Sequence, residues 1–257
     1  MNDCAHIVLI ADQVGSRRAP DAVPAALELL AGVDTVLPFE RTAGDEIQGL
    51  LPDGDAAVRA LTLLWRVGAW SIGVGIGAVE EPLPESTREA RGGAYLAARR
   101  AIEASGAVAA RIKVELEPRG PVLARSQSAG DARASSGTVG SASAGNEDRA
   151  GTRADVDVAR GDSGDAPPSS VRPDGTATAH DAETVLHLLE PLVRGRSAAS
   201  WEALDLSLAG QSQAQIGERL GITQGAVSRR LARAYAPEVE RASDLAARLL
   251  DEARRGS

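Results

Sequence analysis

The stretch SIGVGIGAV, residues 71–79, carries an alternation that indicates a β-strand. One face of this strand would be apolar, through Ile72, Val74 and Ile76, and the other face would be bare. The bare positions are Gly73, Gly75 and Gly77. Because a bare face lets another group approach the backbone closely, we expect either a packed helix or a flat ligand there. A dinucleotide site is excluded, since the G-x-G-x-x-G spacing and a following helix are missing.

Segments on both sides of this strand indicate an arrangement of alternating strands and helices. Apolar runs and alternation predict further strands at 6–11, 35–41, 46–51 and 109–117. Helical periodicity predicts helices at 20–30, 55–67 and 87–104. The order βαββαβαβ predicts a mixed sheet with helices on one face, an α/β sandwich close to a ferredoxin-like or palm arrangement.

Residues 118–180 differ in composition from both flanks. They are rich in Ser, Ala, Gly, Asp and Pro without periodicity, and such a segment cannot bury enough apolar area to offset chain entropy. We therefore predict an α+β protein in three parts. These are a palm-like α/β domain at 1–117, a disordered low-complexity linker at 118–180, and an all-α domain at 181–257, with the two folded parts tethered rather than docked.

The sequence QAQIGERLGITQGAVSRRLARAY, residues 213–235, has the spacing of a helix-turn-helix. Gly221 suits the left-handed residue that ends the first helix, and Thr223 suits the N-cap of the second. Gly217 lies at the predicted crossing point, where a larger side chain would separate the helices. The predicted packing positions are Ile216, Leu220, Ile222, Val227 and Leu231.

The exposed face of the second helix is the predicted contact with double-stranded DNA, because such a helix enters the major groove. It would carry Thr223, Gln224, Gly225, Ser228, Arg229 and Arg233. The alternative is a helical hairpin used for packing or for protein contacts. An apolar stripe from about residue 237 to 255 predicts a further helix, which either packs on this unit or forms a homodimer.

The charge of the chain favours a local DNA contact over a general one. There are 28 basic and 36 acidic residues, for a net charge of -8, which excludes a protein that is basic overall. Between residues 211 and 236, however, four arginines stand against one glutamate. Lys113 is the only lysine, so the preference for arginine follows the composition of the whole chain.

Two acidic residues lie where the first strand and the first hairpin are predicted to meet. Asp12 ends the strand, and Asp45 lies in the hairpin beside Glu46. Paired carboxylates suit Mg²⁺ or Mn²⁺ with nucleotide phosphates, which Ser16 and Arg17 could bind. The alternative is a Gly-Asp turn chosen for its backbone conformation, with Asp12 capping a loop.

Five segments, taken in order, resemble the SatD family of bacterial proteins. They are IADQVGSR, GDEIQGLL, SIGVGIGAV, GGAYLAARRAI and SQAQIGERLGITQGAVSRRL. The resemblance covers most of 6–117 and 181–235, and it implies a DNA-binding protein with a C-terminal helix-turn-helix.

The N-terminal part is also remotely similar to the palm of class III nucleotide cyclases. In that family one metal-binding Asp follows the first strand and another lies in the hairpin, which implies metal ligation by Asp12 and Asp45. A later V-N-x-A-x-R motif matches in part, implying a nucleotide contact for Arg99. Tyr95 replaces the catalytic Asn of that motif, which argues against cyclase activity.

Three function classes follow from these patterns. The leading interpretation is a DNA-binding transcriptional regulator with an N-terminal sensing or scaffold domain and a nucleotide as its effector. The alternative is a metal-dependent nucleotide-binding or cyclase-like enzyme with a DNA-binding tail, and the third is a protein-interaction module.

The sequence also bears on the compartment of the protein. The chain has no apolar run of about 18 residues, 6–11 is too short for a signal peptide, and Cys4 is the only cysteine. We therefore expect a cytoplasmic protein without disulfides.

Overall fold

A computed structural model describes residues 5–105, 112–118 and 175–257. The strands of these ranges are β1 (His6–Gln13), β2 (Leu37–Arg41), β3 (Glu46–Leu51), β4 (Trp70–Gly77) and β5 (Ile112–Leu116). The helices are α1 (Val23–Leu30), α2 (Gly54–Val67), α3 (Gly93–Ser105), α4 (Gly175–Arg194), α5 (Ala198–Leu208), α6 (Gln213–Leu220), α7 (Gln224–Arg233) and α8 (Ala236–Gly256). The protein is therefore of mixed α and β content, with a helical C-terminal region.

The five strands form one mixed sheet in the order β2-β3-β1-β4-β5. The central strand β1 pairs antiparallel with both β3 and β4, and β4 pairs parallel with β5. In the β1–β3 register Asp12 lies opposite Glu46, so the acidic residues meet at one end of the central strand. The order of the elements along the chain agrees with the sequence prediction.

Helices cover both faces of the sheet, so the prediction of helices on one face was wrong. Ile7 and Leu9 of β1 belong to a core shared with α1 and α2. Val8 and Ile10, which point to the opposite face, pack with α3. An unbroken apolar run in a central strand requires apolar cover on both sides, because successive side chains alternate between the faces.

The glycine face of β4 is covered by α3, as the helix alternative predicted. A Cβ on Gly73 would overlap the backbone of Ala98, and one on Gly75 would overlap the backbone of Ala94 and Ala98. The helix backbone thus lies directly on the strand backbone. This contact sets the distance between α3 and β4.

Two of the C-terminal helices, α4 and α8, are docked on the α/β part, which corrects the expectation of two folded parts joined only by a tether. Leu186 of α4 and Leu250 of α8 are fully buried in the same core as Leu64 of α2. Helix α4 begins at Gly175, within the range 118–180 that the sequence analysis predicts as linker. The remainder of that predicted linker, residues 119–174, lies outside the described ranges.

Polar contacts fix both docked helices. The Glu183 carboxylate of α4 accepts hydrogen bonds from Lys113 Nζ at 2.6 Å and from the Val114 backbone N–H at 3.0 Å. The Asp251 carboxylate of α8 accepts one from the Gly54 backbone N–H at 3.1 Å. The apolar stripe of α8 therefore packs within this chain, against α4 and α2.

Within the described residues, the helices include none that combines the length and the apolar character needed to span a bilayer.

We predict that Gly75→Ala lowers the free energy of unfolding by about 1–3 kcal/mol or more, because the added methyl group must push α3 away from β4. Gly32→Ala is the matched control, since its Cβ would meet only the Leu29 carbonyl oxygen at 3.8 Å. We expect the control to change stability by no more than about 1 kcal/mol. Urea denaturation measures both, and equal effects of the two substitutions would contradict the close contact.

Candidate functional site

The first candidate site is the pair of helices α6 and α7. Helix α6 begins with a capping box in which Ser212 N–H donates to Gln215 Oε1 at 2.8 Å and Gln215 N–H donates to Ser212 Oγ at 3.3 Å. It ends at Leu220, and its C-cap is Gly221, whose φ of 63° is left-handed. Thr223 is the N-cap of α7, and its hydroxyl accepts from the Ala226 N–H at 3.2 Å. Both helix boundaries agree with the roles predicted for Gly221 and Thr223.

The crossing of the two helices depends on Gly217. The Ile222 N–H donates to the Gly217 carbonyl at 2.9 Å, and a Cβ on Gly217 would lie 2.8 Å from the Ile222 carbonyl oxygen. Ile216 and Val227 are fully buried beside this crossing. A larger residue at position 217 would therefore change the angle between α6 and α7.

The outer face of α7 is open to solvent. All six residues predicted to contact DNA are exposed: Thr223, Gln224, Gly225, Ser228, Arg229 and Arg233. Arg230 differs, because it lies 3.3 Å from the Glu202 carboxylate of α5. Within the described ranges, Arg229 and Arg233 form no ion pair, so their charges are available to a ligand.

The second candidate site is the acidic end of β1. Burial, together with the nearby charges of Asp45 and Glu46, raises the pKa of the Asp12 carboxyl above its ordinary value. Asp12 and Asp45 line one cavity of about 590 Å³ together with Ser16 and Arg17. The structure thus brings together four residues that the sequence analysis assigned to metal and nucleotide binding.

Arg99 and Tyr95 lie apart from that cavity. The Arg99 guanidinium forms two hydrogen bonds with the Glu46 carboxylate, at 2.6 and 3.0 Å. Tyr95 of α3 is buried, with its hydroxyl 3.2 Å from Thr87 Oγ1. Arg99 would have to leave Glu46 to contact a nucleotide, and Tyr95 does not line the acidic cavity.

The fit of a metal ion to the acidic cavity can be judged from its oxygen donors. Two carboxylates, Asp12 and Asp45, are available, and Glu46 is engaged by Arg99 and by the Thr42 hydroxyl at 2.6 Å. Across the described ranges, no group of three or more His, Cys, Asp or Glu side chains could hold a metal. Two carboxylates fit Mg²⁺ or Mn²⁺ when nucleotide phosphates complete the shell.

A third candidate site, a cavity of about 630 Å³, was missed by the sequence analysis. It lies beside α7 and is lined by side chains that include Arg196, Trp201, Leu204 and Ser228. The full lining comes from α2, from the connection before α5 and from helices α5 to α8, so no motif marks it. The only local signal is an arginine five residues before a tryptophan, which is not specific.

Comparison with protein-family models, with curated proteins and with solved structures finds no match to this chain.

The raised pKa of Asp12 predicts how its substitution changes stability with pH. A carboxyl whose pKa is higher in the folded state stabilises the fold only while protonated, and this contribution is lost as the pH rises through the folded-state pKa. We expect Asp12→Asn to raise the free energy of unfolding at pH 7 and to have a smaller effect near pH 4. Urea denaturation in EDTA measures the difference.

The matched control is Asp34→Asn, which alters an exposed aspartate outside the cluster. It should give the same small change at both pH values. A free energy of unfolding at pH 7 that is lower for Asp12→Asn than for the wild-type protein would contradict this prediction. It would show that the charged Asp12 carboxylate stabilises the fold instead of being repelled by its acidic neighbours.

Proposed function

We propose that this protein is a DNA-binding transcriptional regulator of the type that the SatD resemblance implies. The observation that carries the proposal is the open face of α7, where Arg229 and Arg233 are exposed and unpaired among the described residues while Ile216 and Val227 are fully buried. A helix presented in this way fits the major groove, with arginine and hydroxyl groups on the flanking phosphates.

The start of α7 supports the same proposal. The Thr223 hydroxyl caps only one of the free N–H groups at this end, and Gln224 and Gly225 are exposed. Helix N-termini attract phosphate through their free N–H groups and their dipole. If the N-terminal end of α7 enters the groove first, Gln224 would lie near base edges and Arg229 near a phosphate.

The α/β part would serve as the sensing or scaffold domain. The order β2-β3-β1-β4, with α1 and α2 packed in the same core, supports a ferredoxin-like or palm arrangement to which β5 is added. Double-stranded DNA is the proposed partner and the cytoplasm the proposed compartment. A homodimer would place two α7 helices on paired half-sites.

The proposal predicts the salt dependence of DNA binding. We expect Arg229→Ala to weaken binding to a random-sequence duplex and to flatten the plot of log K against log salt by about 0.9, the slope of one phosphate contact. Fluorescence anisotropy over a salt series measures both quantities.

Arg241→Ala is the matched control, because Arg241 is an exposed arginine on α8, 3.7 Å from Glu238. It should leave the slope unchanged. Equal slopes for the wild-type protein and Arg229→Ala would remove Arg229 from the interface. No salt-sensitive binding by the folded wild-type protein would favour the protein-contact alternative.

The convergence of Asp12 and Asp45 favours a second candidate function, metal-dependent nucleotide binding. The two carboxylates would hold Mg²⁺ or Mn²⁺, and Ser16 and Arg17 would contact the phosphates in the same cavity. The metal would supply charge neutralisation for those phosphates. Because Tyr95 stands where the cyclase motif has its Asn, and its hydroxyl contacts Thr87 Oγ1 at 3.2 Å, the candidate is binding instead of turnover.

A thermal-unfolding experiment on the full chain tests this candidate. A ligand that binds only the folded state at a hundredfold excess over its Kd stabilises that state by about 2.7 kcal/mol. We expect Mn²⁺ with nucleoside triphosphate to raise the Tm of the wild-type protein, and Asp45→Ala to abolish the rise. The Asp34→Ala control should keep it. If no nucleotide raises the Tm of the wild-type protein, this candidate function is wrong, and Asp12 and Asp45 are structural residues of a loop and a turn.

A further inference from the structure

The cavity beside α7 contains a buried cation with no acidic partner. Arg196 is only 8% exposed, and burial lowers the pKa of its guanidinium. Its Nε donates to the Ala234 carbonyl at 2.9 Å, and its Cζ lies 4.8 Å from the centroid of the Trp201 ring. No acidic side chain of the described residues pairs with it, and its two terminal nitrogens have no acceptor there.

An unpaired buried guanidinium is energetically unfavourable unless another group compensates its charge. The Trp201 ring supplies part of this compensation, but it also stacks on Arg66, whose Cζ is 4.7 Å from the ring centroid. Arg66 has its own carboxylate, since it forms two hydrogen bonds with Asp205 at 2.9 and 2.6 Å. Of the two cations on Trp201, only Arg196 therefore lacks a counter-ion among the described residues.

The rest of the cavity is mostly apolar. Leu204, Leu231 and Val239 contribute to its wall, and Leu208 at its edge is 77% exposed, the largest exposure among the large apolar side chains described. A volume of about 630 Å³ lies within the range of small-molecule sites, which are typically apolar with a few polar groups that orient the ligand. The cavity thus combines an apolar chamber with one cationic group.

We propose that this cavity binds a small amphipathic carboxylate, with its anionic head on the terminal nitrogens of Arg196 and its apolar body against Leu204 and Leu231. The planar guanidinium can form two parallel hydrogen bonds with a carboxylate. Glu240 also lines the cavity, and it is exposed. Its negative charge repels an anionic group, so the carboxylate head of the ligand should lie at Arg196 and not beside Glu240.

The cavity shares Ser228 with the proposed DNA-contacting face of α7. A bound anion there adds negative charge beside the phosphates, so it should weaken DNA binding. This coupling rests on the proposed function, whereas ligand binding itself does not.

The test uses the full chain and two probes of the same shape, 2-naphthoate and the neutral 2-naphthol, with titration calorimetry. We expect 2-naphthoate to bind with one site per chain and at least about tenfold more tightly than 2-naphthol. Arg196→Gln should remove this preference, whereas Arg241→Gln, an exposed arginine on α8, should keep it. Equal affinity of the wild-type protein for the two probes, or no saturable binding, would overturn the proposal.

Ser243→Leu keeps the test decisive if Arg196→Gln does not fold. Ser243 lines the cavity from α8, so the larger side chain should abolish binding of both probes. Unchanged binding would place the ligand elsewhere, and self-association that Ser243→Leu removes would show that a second copy fills the cavity.

DNA binding is then measured with and without 2-naphthoate. A severalfold weaker affinity in the wild-type protein, but not in Ser243→Leu, supports the coupling. An affinity that 2-naphthoate leaves unchanged would overturn the coupling alone. A folded protein that binds 2-naphthoate but not DNA would contradict the proposed function and leave the ligand site intact.

Discussion

The backbone contact between the start of α2 and the middle of α8 holds α8 against the α/β part. A Cβ on Gly54 would overlap the Ala247 carbonyl, and Asp251 accepts a hydrogen bond from the Gly54 N–H at 3.1 Å. Helix α4 is fixed in turn by Glu183 on Lys113 and Val114 of β5. Helices α5–α7 lie between α4 and α8 in the chain, so both ends of the helix-turn-helix segment are anchored to the α/β part.

This anchoring changes how the α/β part could influence α7. A flexible tether can act only through effective concentration, whereas packed helices with defined contacts can transmit a change in position. Arg66 of α2 provides such a contact, because it binds Asp205 of α5 and stacks on Trp201. Helix α5 in turn meets α7 through Glu202 and Arg230. A ligand that shifted α2 would act on the helix that supports the proposed DNA-contacting face.

The sequence predicted what short-range patterns determine. Alternation predicted that β4 has a bare face, and the neighbouring strand and hairpin predicted that Asp12 and Asp45 meet. A short stretch of sequence does not show which element will cover an apolar face. The apolar stripe of α8, for example, does not indicate that α8 packs against Gly54 of α2. The unbroken apolar run of β1, by contrast, does indicate helices on both faces of the sheet, because its side chains need apolar cover on both sides. The prediction of helices on one face did not take this into account. Arg99 illustrates the same limit, because its partner Glu46 lies 53 positions away along the chain.

The distribution of charge gives the proposed DNA complex an orientation. Residues 1–117 carry 17 acidic against 11 basic residues, whereas the exposed face of α7 carries Arg229 and Arg233. In the phosphate field of a duplex the acidic part is repelled while α7 is attracted, so encounters that present α7 are favoured. Because exposed charges are screened within about 8 Å at physiological salt, this orienting effect of the phosphate field acts mainly when the protein is close to the duplex. A net charge of -8 is thus compatible with DNA binding, because α7 and the acidic α/β part belong to one packed unit through the docking of α4 and α8.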